Sequence, residues 1–135
     1  MELQARSLEE SDWDILQSWW KWWRWPEMSR DVFPLNGLGG LMIYKGTIPI
    51  VAGFLYLTNS NVAILDWIIS NPEYKENDRK TALMLLIDSC EEVAKINGYN
   101  IIFSFTKNKS LINIHKDLGY TVDERPSYEI SKKIK

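Results

Sequence analysis

The sequence predicts one domain of the α/β (α+β) class, in which helices pack on a central sheet. Three observations predict it. Apolar residues alternate between the two-residue period of strands and the three-to-four-residue period of helices. The segments so defined run β-α-loop-β-β-β-α-β-α-β along the chain. The length of 135 residues, 45% of them hydrophobic and 25% charged, gives a full core to one domain, residues 1–135, and leaves no room for a second.

"LQARSL" (3–8) reads as a first strand. "ESDWDILQSWWKWWR" then reads as a helix, with Ser11 at the N-cap and Asp14 three residues on, a near-match to a capping box. At roughly 100° per residue, Trp13, Ile15, Leu16, Trp19, Trp20, Trp22 and Trp23 fall on one half of that helix, and Asp14, Gln17, Ser18, Lys21 and Arg24 on the other. Pro26 disfavours helical geometry at Trp25 and leaves that residue in the loop "WPEMSRDVFPLNGLGG". "LMIY" (41–44) and "IPIVAGFLYL" (48–57) form a hairpin around Gly46. "VAILDWIIS" (62–70) is a third strand, apolar enough to be central. From about Asp78 the spacing of Ala82, Leu83, Leu86, Ile87, Cys90, Val93 and Ala94 is helical, and Asn97-Gly98 closes the helix. "NIIFSFT" (100–106) is a buried strand, "SLINIHKDLGY" (110–120) a short helix, and "SYEISKK" (127–133) a terminal strand.

Composition excludes several functions. A net charge of −2, with cations scattered among acids, offers no field for a phosphate backbone, so no nucleic-acid partner is expected. Cys90 is the only cysteine and His115 the only histidine, which rules out an intrachain disulfide and a clustered metal site. No stretch reaches the roughly 18 to 20 apolar residues of a membrane span, and no basic-then-apolar leader opens the chain, so the expected location is cytoplasmic. The run "SWWKWWRW" (18–25) suggests a membrane anchor, a base-stacking platform or a core. Lys21 and Arg24 are offset by Asp12 and Asp14, which leaves little attraction to anionic lipid. Core packing is expected for the helical tryptophans, with Trp25 the exception beside a binding groove. "NGLGG" (36–40) precedes a strand, fails the context of a phosphate cradle, and reads as a flexible loop end. Cys90, on an apolar helix face, reads as packing rather than as a nucleophile.

Two stretches, with the order of elements, resemble the GNAT superfamily of acyl-CoA-dependent N-acyltransferases, most closely its small bacteriophage-encoded members. "NKSLINIHKDLGY" (108–120) is similar to that family's pattern of Asn, an apolar pair, an aromatic residue and Gly-Phe or Gly-Tyr, with Asn108, Leu111, Ile112, Leu118, Gly119 and Tyr120 in register. "SNPEYKENDRKTAL" (70–83) is similar to the segment that holds the pyrophosphate of coenzyme A. It departs from the pattern [QR]-x-x-G-x-[GA], because Lys75, Asp78 and Lys80 stand where Gln or Arg, Gly, and Gly or Ala are usual. Glycine there would let backbone N–H groups approach the phosphates. Lys75, Arg79 and Lys80 offer charge-assisted contacts instead, while Asp78 opposes an anion at the same helix end. The resemblance implies a mixed, mostly antiparallel sheet of six to seven strands flanked by three to four helices.

It also implies acetyl-CoA as cosubstrate, an amine acceptor and no metal. Asp66, the one ionisable residue of its strand, is the candidate base, its pKa open to being raised by burial beside Trp67; the competing reading is a carboxylate paired or solvated at a strand edge. Backbone N–H groups around Ile68, Ile69 and Ser70 are implied for the oxyanion and cofactor, where the strand bulges from its neighbour. His115 stands at the family's tyrosine position as candidate acid, against a plain helix-surface residue, with Tyr120 and Tyr128 as substitutes. Asn108 is implied to bond the pantetheine region, or else to cap the helix at Ser110. Trp25, Glu27, Arg30 and Asp31 fall where the family builds one wall of its acceptor groove. The expected function is therefore acetyl transfer to a primary amine by direct attack. The alternative is a catalytically inactive GNAT-fold module presenting the 24–40 loop to a protein or nucleotide. The acceptor's identity, and the choice between monomer and homodimer, stay open.

Overall fold

Residues 1–135 are described by a computed structural model. Strands β1 (Leu3–Ser7), β2 (Gly40–Lys45), β3 (Ile48–Leu57), β4 (Val62–Ser70) and β5 (Ile101–Ser104) form one sheet in sequence order. All neighbours are antiparallel except β4 and β5, which are parallel. Helix α1 (Asp12–Trp22) covers one face of the sheet, and α2 (Arg79–Ile96) and α3 (Lys109–Asp117) cover the other. No helix is long and apolar enough to cross a membrane.

The face under α2 is filled by the residues whose helical spacing announced that helix. Ala82, Leu86, Ile87, Cys90 and Ala94 are buried against Ile43, Ile50, Val51, Leu55, Ala63 and Leu65, with Leu111 and Ile114 of α3 beside them. The opposite face is aromatic. Trp13, Leu16, Trp19 and Trp20 of α1 meet Met42, Ala52, Phe54 and Ile69 of the sheet. Phe33, 3% exposed, sits at the centre of this layer. Its ring lies flat on Trp20 at 5.0 Å and within 4.6 to 5.5 Å of Phe54, Trp67 and Trp13. The loop between α1 and β2 is thereby clasped to the sheet.

Helix α1 is aligned by a charge pair that the capping reading missed. Ser11 makes no side-chain cap bond. Asp12, 1% exposed, instead receives two hydrogen bonds from Arg6 at 2.7 and 2.9 Å and one from the Glu9 amide at 2.8 Å. Burial pushes the Asp12 carboxyl up, but the Arg6 guanidinium and the Glu9 N–H outweigh it and hold it below the usual carboxylate range. The pair pins the start of α1 to the end of β1.

Further expectations are corrected. The strand expected to be buried over 100–106 is β5, only Ile101–Ser104, an edge strand with Ile101 and Phe103 46% and 49% exposed. The sheet has five strands rather than six to seven, because 127–133 makes no ladder. Tyr128, Ile130 and Ile134 are 87 to 91% exposed there. The period-two pattern is present, but alternation alone binds nothing without a neighbouring edge that takes its hydrogen bonds. Trp22 and Trp23 are 59% and 39% exposed instead of buried. Trp22 lies about 180° around the helix from Trp13, at the rim of the apolar half, and Trp23 is already the C-cap. They pack edge-to-face on each other at 4.7 Å, and the Trp23 indole donates to the Ser70 carbonyl at 2.9 Å. Finally, "NGLGG" is a packed corner. Gly37, at φ +93°, would drive a Cβ to within 2.9 Å of the Trp13 ring, and at Gly40 one would meet the Gly53 carbonyl at 2.1 Å.

Two substitutions separate the buried aromatic layer from its exposed rim. Phe33→Ala is expected to cost about 3–5 kcal/mol by the lost burial and cavity, and Trp22→Ser to stay within about 0.5 kcal/mol of wild type. Urea unfolding followed by circular dichroism measures both.

Candidate functional site

One irregularity in β4 shapes the site. Ala52 pairs with Ile69 and Phe54 with Asp66, so Gly53 alone opposes both Trp67 and Ile68. This is a β-bulge with the additional residue on β4. Trp67 takes the left-handed φ of +59°, an unfavourable conformation for a bulky side chain. Its hydrogen bonds offset that strain. The Trp67 amide donates to Asp66 Oδ1 at 2.7 Å, and its indole donates to the Tyr56 hydroxyl at 2.8 Å, which donates in turn to the Val32 carbonyl at 3.1 Å.

Just before the bulge the sheet divides. β4 pairs with β5 only from Val62 to Leu65, opposite Ile101 to Ser104. Asp66 to Ser70 therefore have no strand neighbour on that side, and the wedge beside β4 is the gap in pairing left where β5 ends at Ser104. The resemblance placed the bulge near Ile68 to Ser70; it lies at Trp67 and Ile68, and the open edge runs through Ile68, Ile69 and Ser70.

Asp66 sits at the mouth of this wedge on the face shared with α1, opposite Phe54. Burial pushes its carboxyl above the usual range, the Trp67 N–H works against that, and the Glu129 carboxylate adds to the rise. Trp25 is half-buried with its ring 6.1 Å from that of Trp67. Glu27 and Asp31 are exposed on the same loop. Arg30 is committed elsewhere: it forms a two-point pair with Glu10, donates to the Asn36 carbonyl at 2.9 Å and lies 4.9 Å over the Trp13 ring. It fastens the loop to α1.

At the far end of β4, residues 71–78 lead into α2. Asn71 anchors this turn through its amide to the Ile50 carbonyl at 2.7 Å and its side chain to the Pro49 carbonyl at 2.8 Å. Asp78 precedes the helix but makes no side-chain cap bond. Its carboxylate turns away to the Tyr74 hydroxyl at 2.6 Å and to Lys45 Nζ at 2.9 Å. Tyr74 first, and then Lys45, hold Asp78 below the usual carboxylate range, and the same contact pushes the Tyr74 phenol up to about 12. The backbone N–H groups of Lys80 and Thr81 have no partner in the protein. The anion-binding end of α2 is thus open, with Lys75, Arg79 and Lys80 exposed around it. Lys80 also reaches Asp117 of α3 at 3.5 Å.

The remaining candidates lie on the α2 face. Asn108 caps α3, its side chain accepting from the Leu111 amide at 3.0 Å, with the helix starting at Lys109. His115 is 4% exposed, not on the helix surface, and its Nδ1 lies 2.7 Å from the Leu111 carbonyl. A carbonyl only accepts, so Nδ1 carries a proton, and Nε2 is buried without a partner. Tyr120 meets His115 edge-to-face at 5.1 Å, and its own hydroxyl is buried and unpartnered. Burial foremost, and then the Glu91 carboxylate, push that phenol well above its ordinary value. Of the two, Tyr120 is the one whose proton no backbone carbonyl takes, with Glu91 its nearest acceptor. Tyr128 is 87% exposed. Burial pushes the Cys90 thiol up to about 12, which keeps it inert. Asp66 and the His115–Tyr120 pair therefore belong to opposite faces and can meet a common ligand only through the wedge. Sequence reading missed Tyr56, Tyr74 and Lys45. The four-residue spacing of Tyr74 and Asp78 was an available signal, whereas nothing local links Lys45 to Asp78.

Substituting Asp66 reports its environment directly. A carboxyl whose pKa is raised on folding keeps its proton to higher pH in the folded chain, so it increasingly favours the unfolded chain as pH rises through that interval. Asp66→Asn retains the acceptor for the Trp67 amide and removes the charge. It is expected to melt above wild type at pH 7, with the difference fading as pH falls below about 4. Thermal melts across that pH series check it.

No family model matches the sequence, and no curated protein matches it. Solved structures do. A Trypanosoma brucei acetyltransferase is 16% identical, with 96% of this chain and 100% of that one aligned at a TM-score of 0.67. The aminoglycoside N-acetyltransferase AAC(6')-Iy in complex with CoA is 15% identical over 96% of this chain and 100% of its own, at 0.66. A Thermus thermophilus protein is 14% identical over 98% and 99%, at 0.71. Alignment over 96 to 98% of the chain shows that it shares the fold of these acetyltransferases, the GNAT fold.

Proposed function

We propose that the protein is an acetyl-CoA-dependent N-acetyltransferase that moves an acetyl group onto a primary amine by direct transfer. One observation carries the reading: the open edge of β4 from Asp66 to Ser70 leads straight to the unpartnered amides at the start of α2. This arrangement fits a long anionic thioester. The amides of Lys80 and Thr81, with Lys75 and Arg79, would hold the pyrophosphate, and the β4 edge at Ile68, Ile69 and Ser70 would receive the arm. Asp78 does not compete, because Tyr74 and Lys45 already occupy its carboxylate. AAC(6')-Iy, which shares the fold, binds CoA and a CoA-linked analogue of an acetylated amine.

Acetyl-CoA supplies an acetyl group activated as a thioester. Asp66, raised by burial, takes a proton from the incoming ammonium so that its nitrogen can attack. The C–N bond forms as the C–S bond breaks. Backbone N–H groups on the free β4 edge face the carbonyl oxygen as it gains charge. The departing thiolate needs a proton, and the buried Tyr120 phenol holds one, whereas the His115 proton is tied to the Leu111 carbonyl.

Isothermal titration with acetyl-CoA and thiol release across an amine panel test the reading. Binding is expected in the micromolar range or tighter, with melting raised by about 2.7 kcal/mol of added stability at one hundred times Kd. Lys75→Ala with Arg79→Ala is expected to weaken binding by about 1.5–3 kcal/mol per lost charged contact, and Asp66→Asn to lower kcat by about 10²- to 10⁴-fold at unchanged cofactor affinity. Binding without thiol release from any amine would favour an inactive module that uses the 24–40 loop as its contact surface. No heat at millimolar acetyl-CoA would sink the proposal.

A further inference from the structure

Around Asp66 the sheet is left uncovered in a way that the rest of the fold is not. Pairing sets Tyr56 beside Ile64 and Ile64 beside Phe103 on the face that α1 packs against. Helix α1 and its loop reach only as far as Tyr56 and Trp67. Beyond them Phe103 and Phe105, 6.5 Å apart edge-to-face, are 49% and 59% exposed. On the same strand Ile102 points the other way, into the α2 core. The result is an apolar shelf running from the Trp25–Trp67 pair across Tyr56 and Ile64 to two open phenyl rings.

The one charged side chain that the pairing places on the shelf is acidic. Asp66 stands in its middle, and the Glu129 carboxylate from the C-terminal segment adds negative charge near it. Arg30 of the loop is already bound to Glu10, so the cations next to the shelf in sequence are Arg24 before Trp25 and Lys107 after Phe105, one at each end and neither beside Asp66 in sequence. A ligand that satisfies both features carries an ammonium on a flat apolar body. The ammonium meets the carboxylate and the faces of the surrounding rings, and the body covers phenyl surface that water now wets. Polyols leave hydroxyls against phenyl rings without partners, and polyamines leave further ammonium groups over apolar surface.

Resting on the acetyltransferase reading of this site, we infer that the acceptor is a primary amine attached to an aromatic or bulky apolar group, an arylalkylamine or the N-terminus of a peptide opening on such a residue, seated across Phe103 and Phe105 with its nitrogen at Asp66. Phe103 and Phe105 are thus specificity-determining residues. Phe103 lies on β5 beside Ile64, and Phe105 follows just past the end of that strand, so a body lying on them has its amine beside β4.

The test uses the full chain and three measurements. Binding of 2-phenylethylamine, spermidine and neamine is followed by tryptophan fluorescence without cofactor, acetyl-CoA binding by titration calorimetry, and turnover by thiol release. Wild type is expected to turn over 2-phenylethylamine with a kcat/KM about 10- to 200-fold above spermidine and neamine, the range that apolar contacts discriminate. Phe103→Ser with Phe105→Ser should remove most of that preference while leaving Tm and acetyl-CoA affinity in place; the single Phe105→Ser serves if the double variant melts early. Equal or reversed preference overturns the inference. So does sedimentation showing a dimer that the double variant dissolves, since a second copy would then own the shelf. Should acetyl-CoA neither bind nor react while 2-phenylethylamine still binds and loses affinity in Asp66→Asn, the acetyltransferase reading fails and the ligand class stands.

Discussion

The placement of one residue too many in β4 governs most of what this fold can do. Along a regular strand, alternate side chains face alternate sides, and β4 obeys this from Ala63 and Leu65, which face α2, to Ile64 and Asp66, which face α1. Opposite Gly53 the count slips by one, and afterwards Ile68 faces α2 while Ile69 faces α1. Without the bulge, either Asp66 or Ile69 would be turned into the wrong layer. Gly53 is the residue that permits it: a Cβ there would crowd Leu65, Leu86 and Ile68 at 3.2 to 3.4 Å, and its carbonyl leaves no room for a Cβ on Gly40. The bulge begins just where the pairing with β5 stops, so the carboxylate and the open edge of β4 lie together.

Holding Trp67 in a left-handed conformation has to be offset by other contacts, and the aromatic layer provides them. The indole is gripped by Tyr56 on one side and lies against Phe33 and Trp25 on the other. Phe33 is in turn locked by Trp13, Trp20 and Phe54. The tryptophans of α1 therefore act on the site without touching it: they fix the loop, the loop fixes Trp67, and Trp67 fixes Asp66. The Arg30 contacts with Glu10 and Trp13 brace the same loop from its outer side. A groove wall built in this way is rigid, which favours selection by shape over adaptation to many acceptors.

The parts of the fold that were legible in the sequence are those specified locally. Helical spacing in 82–94 and the turn at Gly46 each state their structure within a few residues, and both are present. What failed depended on partners far along the chain. The alternation of 127–133 is a real strand signal, but β5 offers a ladder of only four residues and the segment does not take it. Trp22 and Trp23 share the composition of their buried neighbours, but Trp22 sits at the rim of the apolar half and Trp23 is already the C-cap, so both stay outside. Asp66 was visible as a lone charge in an apolar strand because that contrast is local. The burial of His115 and the hydrogen bond on its Nδ1 were not, since a helix this short shows which face is apolar but not how deeply it sinks.

Asp78 shows how a residue that departs from a motif can still leave the helix end open. In the glycine pattern, the backbone is bare so that an anion can approach the helix end. Here a carboxylate occupies that position, and on sequence grounds it should repel the same anion. Tyr74 and Lys45 convert it into a strut: one hydroxyl and one ammonium take up its oxygens, neutralise its charge locally and draw it toward β2, away from the Lys80 and Thr81 amides. The turn is then stiffened by the very residue that breaks the pattern. A bare glycine would leave this segment with more conformations to lose on binding. The strut also joins the helix end to β2, so the two ends of the proposed cofactor path, the α2 N-terminus and the β4 edge, are held by the same sheet.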